Sequence, residues 1–238
     1  MTLPLPPRAP GAAAPGDRTL LRVEVVLKPG SGAHAAAVHA AALKALDEIS
    51  RVVPGLGPLE LPARAGCDPL LKAHAESMTL VEVAPAAGAR PGAFLLPWEV
   101  TWLVDAFELD AGGPVDEDAA DDDDGDGDAG VAAGGAAPPL RRWRLPSTAL
   151  HAAWAALHVE PELKARLLGY ADSALLFAQR GVDPALRPAG ALLLFGPPGT
   201  GKSTLARALA SRVAARHAAH YPGGAALLEV DAAAVFCE

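Results

Sequence analysis

Apolar and polar positions alternate over Leu21-Arg22-Val23-Glu24-Val25, the two-residue period of a strand with one buried face. From Ala33 to Ile49 the period becomes helical, with Val38, Ala42, Leu43, Leu46 and Ile49 near one side. Further strands are predicted at Met78 to Val83 and at Glu99 to Leu109, the latter carrying Trp102, Leu103 and Phe107. A second set of elements follows residue 140. Pro161 at a first-turn position, between Glu160 and Glu162, opens a helix whose Leu163, Leu167, Ala171, Ala174 and Ala178 face one way, and Gly181 closes it. Gly169 inside that helix costs about 1 kcal/mol relative to Ala, which packing has to offset. Ala191 to Phe195 is an unbroken apolar run, the pattern of a strand buried on both faces of a parallel sheet. Leu205, Leu209 and Val213 then recur at helical spacing, while Arg207, Arg212 and Arg216 fall elsewhere around the helix.

These elements predict an α/β protein in four parts. Residues 1–16, interrupted by five prolines, form a disordered tail, and 17–110 a small mixed α/β domain. Residues 111–140 form an acidic disordered linker, and 141–238 a second α/β domain. The linker reading rests on nine carboxylates between Asp116 and Asp128. A calcium loop is the sharper alternative, but the terminal Glu and flanking amphipathic helices of that motif are missing. Those nine carboxylates exceed the formal net charge of −8, so the two domains together are close to neutral. Neither is basic enough to make nucleic acid the main ligand, and no direct nucleic-acid binding is expected. No apolar segment is long enough for a membrane helix, and the N-terminal prolines rule out a signal peptide, so no membrane role is expected. Cys67 and Cys237 lie far apart and neither has a cysteine beside it, which suggests neither a disulfide framework nor a zinc site. His34, His39 and His74 lack partners at ligand spacing and read as surface or packing residues.

The chemistry is concentrated in Gly196-Pro197-Pro198-Gly199-Thr200-Gly201-Lys202-Ser203, which fits G-x-x-x-x-G-K-[ST] between a predicted strand and a predicted helix. Glycines let the backbone curl so that successive N–H groups point at an anion. Lys202 supplies a mobile cation for the β- and γ-phosphates. The Ser203 hydroxyl is placed to ligate Mg²⁺ at a helix N-terminus whose dipole also favours the anion, a task Thr204 is less well placed to share. ATP and Mg²⁺ are the expected ligands. Trp154, Leu157 and Val159, upstream, could line an adenine pocket or pack into the core.

The loop resembles the Walker A of AAA+ ATPases. Trp143-Arg144-Leu145-Pro146, His151 to Leu157, Glu162-Leu163-Lys164, Leu167-Leu168-Gly169-Tyr170, Leu175-Leu176-Phe177, Leu228-Glu229-Val230 and Val235-Phe236 are similar to the pachytene checkpoint protein 2 family, also called thyroid receptor-interacting protein 13. The similarity is close over 141–238 and weaker but collinear over 20–110. It implies a hexameric ATPase that remodels HORMA-domain proteins, in the meiotic recombination checkpoint at chromosomes and in silencing of the spindle checkpoint. Nuclear and cytoplasmic locations follow from that. The 17–110 domain would recognise the substrate or its adaptor, and 141–238 would be the start of an incomplete AAA+ parallel sheet with flanking helices. Gly196, Gly199, Gly201, Lys202, Ser203 and Thr204 match the family's ATP-phosphate loop, and Leu157 and Val159 its apolar adenine contacts. His158 replaces a usually apolar residue. A Walker B Asp-Glu pair, an aromatic pore loop, a sensor residue and arginine fingers have no counterpart before Glu238, so the chain reads as an N-terminal fragment with no catalytic residue of its own. A non-catalytic nucleotide-dependent adaptor and a P-loop enzyme of another class are the alternatives.

Overall fold

A computed structural model describes residues 18–49, 59–60, 68–84, 95–117, 140–183, 185–186 and 190–230. The chain forms two compact units, one from Met1–Leu109 with Ala215–Pro222, the other from Asp110–Ala214 with Gly223–Glu238. The predicted tail 1–16 and most of the acidic run lie outside the described residues.

The first unit is built on a four-stranded sheet. Strands β1 (Thr19–Leu27), β2 (Leu59–Glu60), β3 (Ala75–Ala84) and β4 (Val100–Glu108) lie in the order β2-β3-β1-β4. Central β1 runs antiparallel to β3 and parallel to β4. Its alternation resolves as the sequence predicts: Leu21, Val23, Val25 and Leu27 are buried in one core cluster. Helix α1 (Ala35–Asp47) adds Val38, Ala41, Ala42 and Leu46 to that core, with Leu43 and Ile49 partly buried beside it. Arg22 of β1 is paired across the sheet, where its Nη1 donates to Asp105 Oδ2 at 2.7 Å. The turn from β1 to α1 is pinned by Glu108, whose carboxylate accepts from the Gly30 and Gly32 amides at 2.7 and 2.8 Å. Helix α2 (Pro69–His74) starts from an Asp68 cap that accepts from the Leu70 amide at 2.8 Å.

The second unit holds a three-stranded antiparallel sheet in the order β5-β6-β7, formed by Val115–Glu117, Leu140–Leu145 and Ala225–Val230. Strand β5 corrects the linker reading at its start. Residues 115–117, counted in the sequence as self-repelling coil, pair with Leu140–Arg142, and Asp116 forms a 3.0 Å ion pair with Arg141. A cross-strand cation offsets the repulsion that the acidic sequence alone implies.

Helices α3 (Thr148–Ala156), α4 (Pro161–Gln179) and α5 (Lys202–His217) meet in a core of Trp154, Leu167, Leu168, Leu205, Ala208 and Leu209. Pro161 occupies the first turn of α4. Its end is a two-bond glycine cap, with Gly181 at φ 63° donating to Ala178 O at 3.2 Å and Val182 donating to Phe177 O at 3.1 Å. The predicted inward face of α4 shifts. Leu167 is buried as expected, but Leu163 and Ala178 are exposed and Leu168 takes their place, because α3 and α5 approach one short stretch of the helix rather than its whole length. Nothing lies within 4 Å of a Cβ built on Gly169, so no tight packing offsets its helical cost.

The strand expected at Ala191 to Phe195 does not form a ladder. Leu194 packs on the α3–α5 core, but Leu193 and Phe195 are 84% and 89% exposed. A central parallel strand requires partners on both edges. Among the described residues no strand pairs with this segment, and β7 pairs antiparallel with β6 instead.

Candidate functional site

The segment Gly196 to Ser203 curls immediately before α5. Gly196, Gly199 and Gly201 have φ of 148°, 78° and 80°, a backbone available to glycine and strained for other residues. The Gly201 carbonyl accepts the first helical bond, from Leu205 N at 2.8 Å. Lys202 Nζ folds over the loop to donate to Pro197 O at 2.5 Å and to Thr200 Oγ1 at 3.3 Å, and Thr200 Oγ1 itself donates to Pro197 O at 2.9 Å. The ammonium is therefore held above the concave backbone by weak neutral acceptors that an anionic phosphate would outcompete. Ser203 and Thr204 are exposed on the first turn.

Helix polarity suits an anion. The first turn of α5 carries no acidic residue and its last turn carries Arg216 and His217. The positive end of the dipole is thus left for a ligand while the negative end is compensated. A nucleoside triphosphate fits the residues present: space lies open around the Cα of Gly199, the cation is at hand, and a hydroxyl follows it for Mg²⁺.

The two apolar candidates fare differently. Leu157 reaches the loop, since a Cβ built on Gly201 would lie 3.6 Å from Leu157 Cδ2. Val159 stays half-buried in the α3–α4 corner, its amide donating to Leu157 O at 3.1 Å. Trp154 resolves to core. Away from this site, His34 and His74 stack with ring centres 4.1 Å apart and Ser31 Oγ lies 3.1 Å from His74 Nδ1, a packing arrangement. No group of three metal-ligating side chains occurs among the described residues, and no described helix is long and apolar enough to cross a membrane.

Four charged residues of the second unit have partners or burial that the sequence pattern does not show. Arg207 grips the Glu229 carboxylate from α5, with Nε at 3.1 Å from both oxygens and a further contact from Nη2, while Trp143 Nε1 donates to the same carboxylate at 3.3 Å. Arg207 holds the Glu229 carboxyl below its usual range, an effect that burial opposes. Arg212 is 7% exposed although it was expected outside the apolar stripe. Burial, and then the charge of Arg212, lower the pKa values of both His151 and Lys164. Lys164 binds carbonyls at the end of α3. The i, i+7 and i+10 spacing of Lys164 with Leu157 and Trp154 gives no recognisable signal, because the chain turns a corner between them.

The family model described as "ATPase family associated with various cellular activities (AAA)" matches residues 192–236, a span that begins just before the loop and includes all of α5 and β7. The chain is 35% identical over 234 residues to the pachytene checkpoint protein 2 homolog of Oryza sativa subsp. indica, covering 98% of this chain and 45% of that protein. Against the Arabidopsis thaliana homolog it is 33% identical over 228 residues, covering 92% and 43%. The chain belongs to the pachytene checkpoint protein 2 family of AAA ATPases.

Its mixed α/β fold is also that of the solved "Structure of C. elegans PCH-2", with a TM-score of 0.53 at 17% identity over 91% of this chain and 49% of that one. The chain thus spans about half the length of the family members it matches. Membership of the AAA family implies nucleotide binding, typically with Mg²⁺, and ATPase-type activity in general.

Proposed function

We propose that this chain carries the nucleotide grip and the recognition domain of an ATP-driven remodelling machine that acts on HORMA-domain proteins. The observation that carries the reading is the loop itself, with glycine-only backbone at Gly196, Gly199 and Gly201 curled beneath Lys202. The setting proposed with it is HORMA-domain clients and their adaptor, a homo-hexamer, and work in the nucleus at chromosomes and in the cytoplasm; similarity to pachytene checkpoint protein 2 homologues supports the checkpoint role alone.

Gly196 to Gly201 offer backbone amides to the phosphates, Lys202 neutralises the terminal ones, Ser203 contributes an oxygen to Mg²⁺, and Leu157 covers the loop from the base side. Mg²⁺ held through Ser203 would supply charge neutralisation at the phosphates. Hydrolysis would need water-activating and charge-stabilising groups beyond those named. Titration of the 238-residue chain with a fluorescent ATP analogue tests the grip. Binding should saturate with Mg²⁺ present and weaken at least about tenfold in Lys202→Ala, which loses a charge-assisted contact. Saturable binding indifferent to Lys202→Ala would remove the reading.

A further inference from the structure

One ammonium group ties down the α3–α4 corner. Lys164, on the first turn of α4, donates to Trp154 O at 2.8 Å and Leu157 O at 2.7 Å, and its Nζ lies 5.2 Å from the centre of the Trp154 ring. Carbonyls at a helix C-terminus lack intrahelical donors and carry the negative end of the dipole, so a cation is favoured there. Leu157 O has two donors, Lys164 Nζ and the Val159 amide. The same residue sends its side chain to the phosphate loop, 3.6 Å from the Cβ position of Gly201. Backbone restraint and loop contact therefore converge on a single residue.

We infer that Lys164 is a positioning residue for the nucleoside half of the ligand, fixing the corner at 157–159 so that Leu157 stays against the phosphate loop and base and triphosphate are held in one geometry. The inference rests on the nucleotide reading of that loop. Two of the three N–H groups of Lys164 are used by carbonyls and its charge faces an aromatic ring, so it acts through the corner and not by touching phosphate. Removing it leaves the Val159 amide as the remaining named donor to Leu157 O and lets the Leu157 side chain drift from Gly201. Phosphate binding, which depends on the curl of 196–201 and on Lys202, should be untouched.

The test uses the full chain and two probes with Mg²⁺, ATP and inorganic tripolyphosphate, together with hydrogen exchange of the Val159 amide in the absence of either. Lys164→Met keeps the aliphatic stem but has no donors. It should bind ATP about tenfold more weakly, the scale of losing charge-assisted bonds, with tripolyphosphate affinity unchanged and faster exchange at Val159. Lys164→Arg, which keeps donors and charge, should recover most of the ATP affinity. Lys202→Ala should weaken both probes. Equal loss of both probes in Lys164→Met, or no loss of ATP, or unchanged exchange at Val159, overturns the positioning role. If the wild-type chain binds neither probe, the nucleotide reading falls and this role falls with it, whereas equal loss of both probes in Lys164→Met defeats the role alone.

Discussion

Two glycines of the second unit should respond to the same substitution with opposite signs. At Gly201 a Cβ would meet Leu157 Cδ2 at 3.6 Å, an ordinary contact, and at Gly169 it would meet nothing within 4 Å. Crowding therefore separates the two sites little. What separates them is backbone conformation: Gly201 sits at φ 80°, while Gly169 lies within the helix Pro161–Gln179. An L-residue in the left-handed region costs roughly 1–2 kcal/mol, so Gly201→Ala should destabilise by about that amount. Alanine in a helix interior restricts the unfolded chain and lacks glycine's helical penalty, so Gly169→Ala should stabilise by about 0.5–1 kcal/mol. The difference, roughly 2 kcal/mol, is readable in urea titrations that follow the transition of this unit. Nucleotide binding supplies the second readout. Gly201→Ala should weaken it by distorting the amides that face the phosphates, and Gly169→Ala should leave it unchanged. Equal signs in the two stability changes would refute the claim that φ, and not available space, governs these positions.

Other expectations concern charge and partners. The Arg207–Glu229 contact lowers the folded pKa of Glu229, so its stabilisation is fully present above the unfolded carboxyl value of about 4.5 and is lost as pH falls through the lower folded value. Glu229→Gln should therefore cost about 1 kcal/mol at neutral pH and flatten the acid limb of the stability curve, and a wild-type-like acid limb in that variant would contradict the assignment. Residues 17–110 should bind a HORMA-domain protein or its adaptor without nucleotide, because no phosphate-binding motif lies in that segment; titration calorimetry showing no binding to any HORMA protein would count against the recognition role.

Much of the fold was legible because local pattern and tertiary environment agree. Strand β1 alternates since one face meets α1 and the other carries Arg22 to its partner Asp105. Helix α4 has both ends written in its sequence, proline at the start and a left-handed glycine at the close. Features that depend on distant residues were not legible. Strand β5 lies in an acidic run that on its own predicts repulsion, and its stabilising cation, Arg141, is 25 residues away from Asp116. Apolar character over 191–195 predicts a buried strand, yet only Leu194 is partly buried there, because a ladder depends on neighbouring strands, about which the run itself says nothing. The phosphate loop was readable as a motif because its task needs fixed residue types at fixed spacing. The contact between Leu157 and Gly201, and the restraint of Leu157 by Lys164, needed coordinates.

Taken together, these contacts give α5 a divided role. Its N-terminal turn keeps acid away from the loop, and Leu205 and Leu209 bury one side against α3 and α4. Arg207 clamps another side to β7 through Glu229. A helix held on two faces resists rotation and sliding, so an anion arriving at its end would have to displace Lys202 from Pro197 O but not to reorder the scaffold. The pair Arg207–Glu229 is then a support of the site at one remove, and its loss should weaken nucleotide binding less than loss of Lys202 does. Lys164 supports the opposite wall in the same manner, through the corner that carries Leu157. The loop supplies the chemistry, and ion pairs and helix-end contacts that no motif records hold it in place.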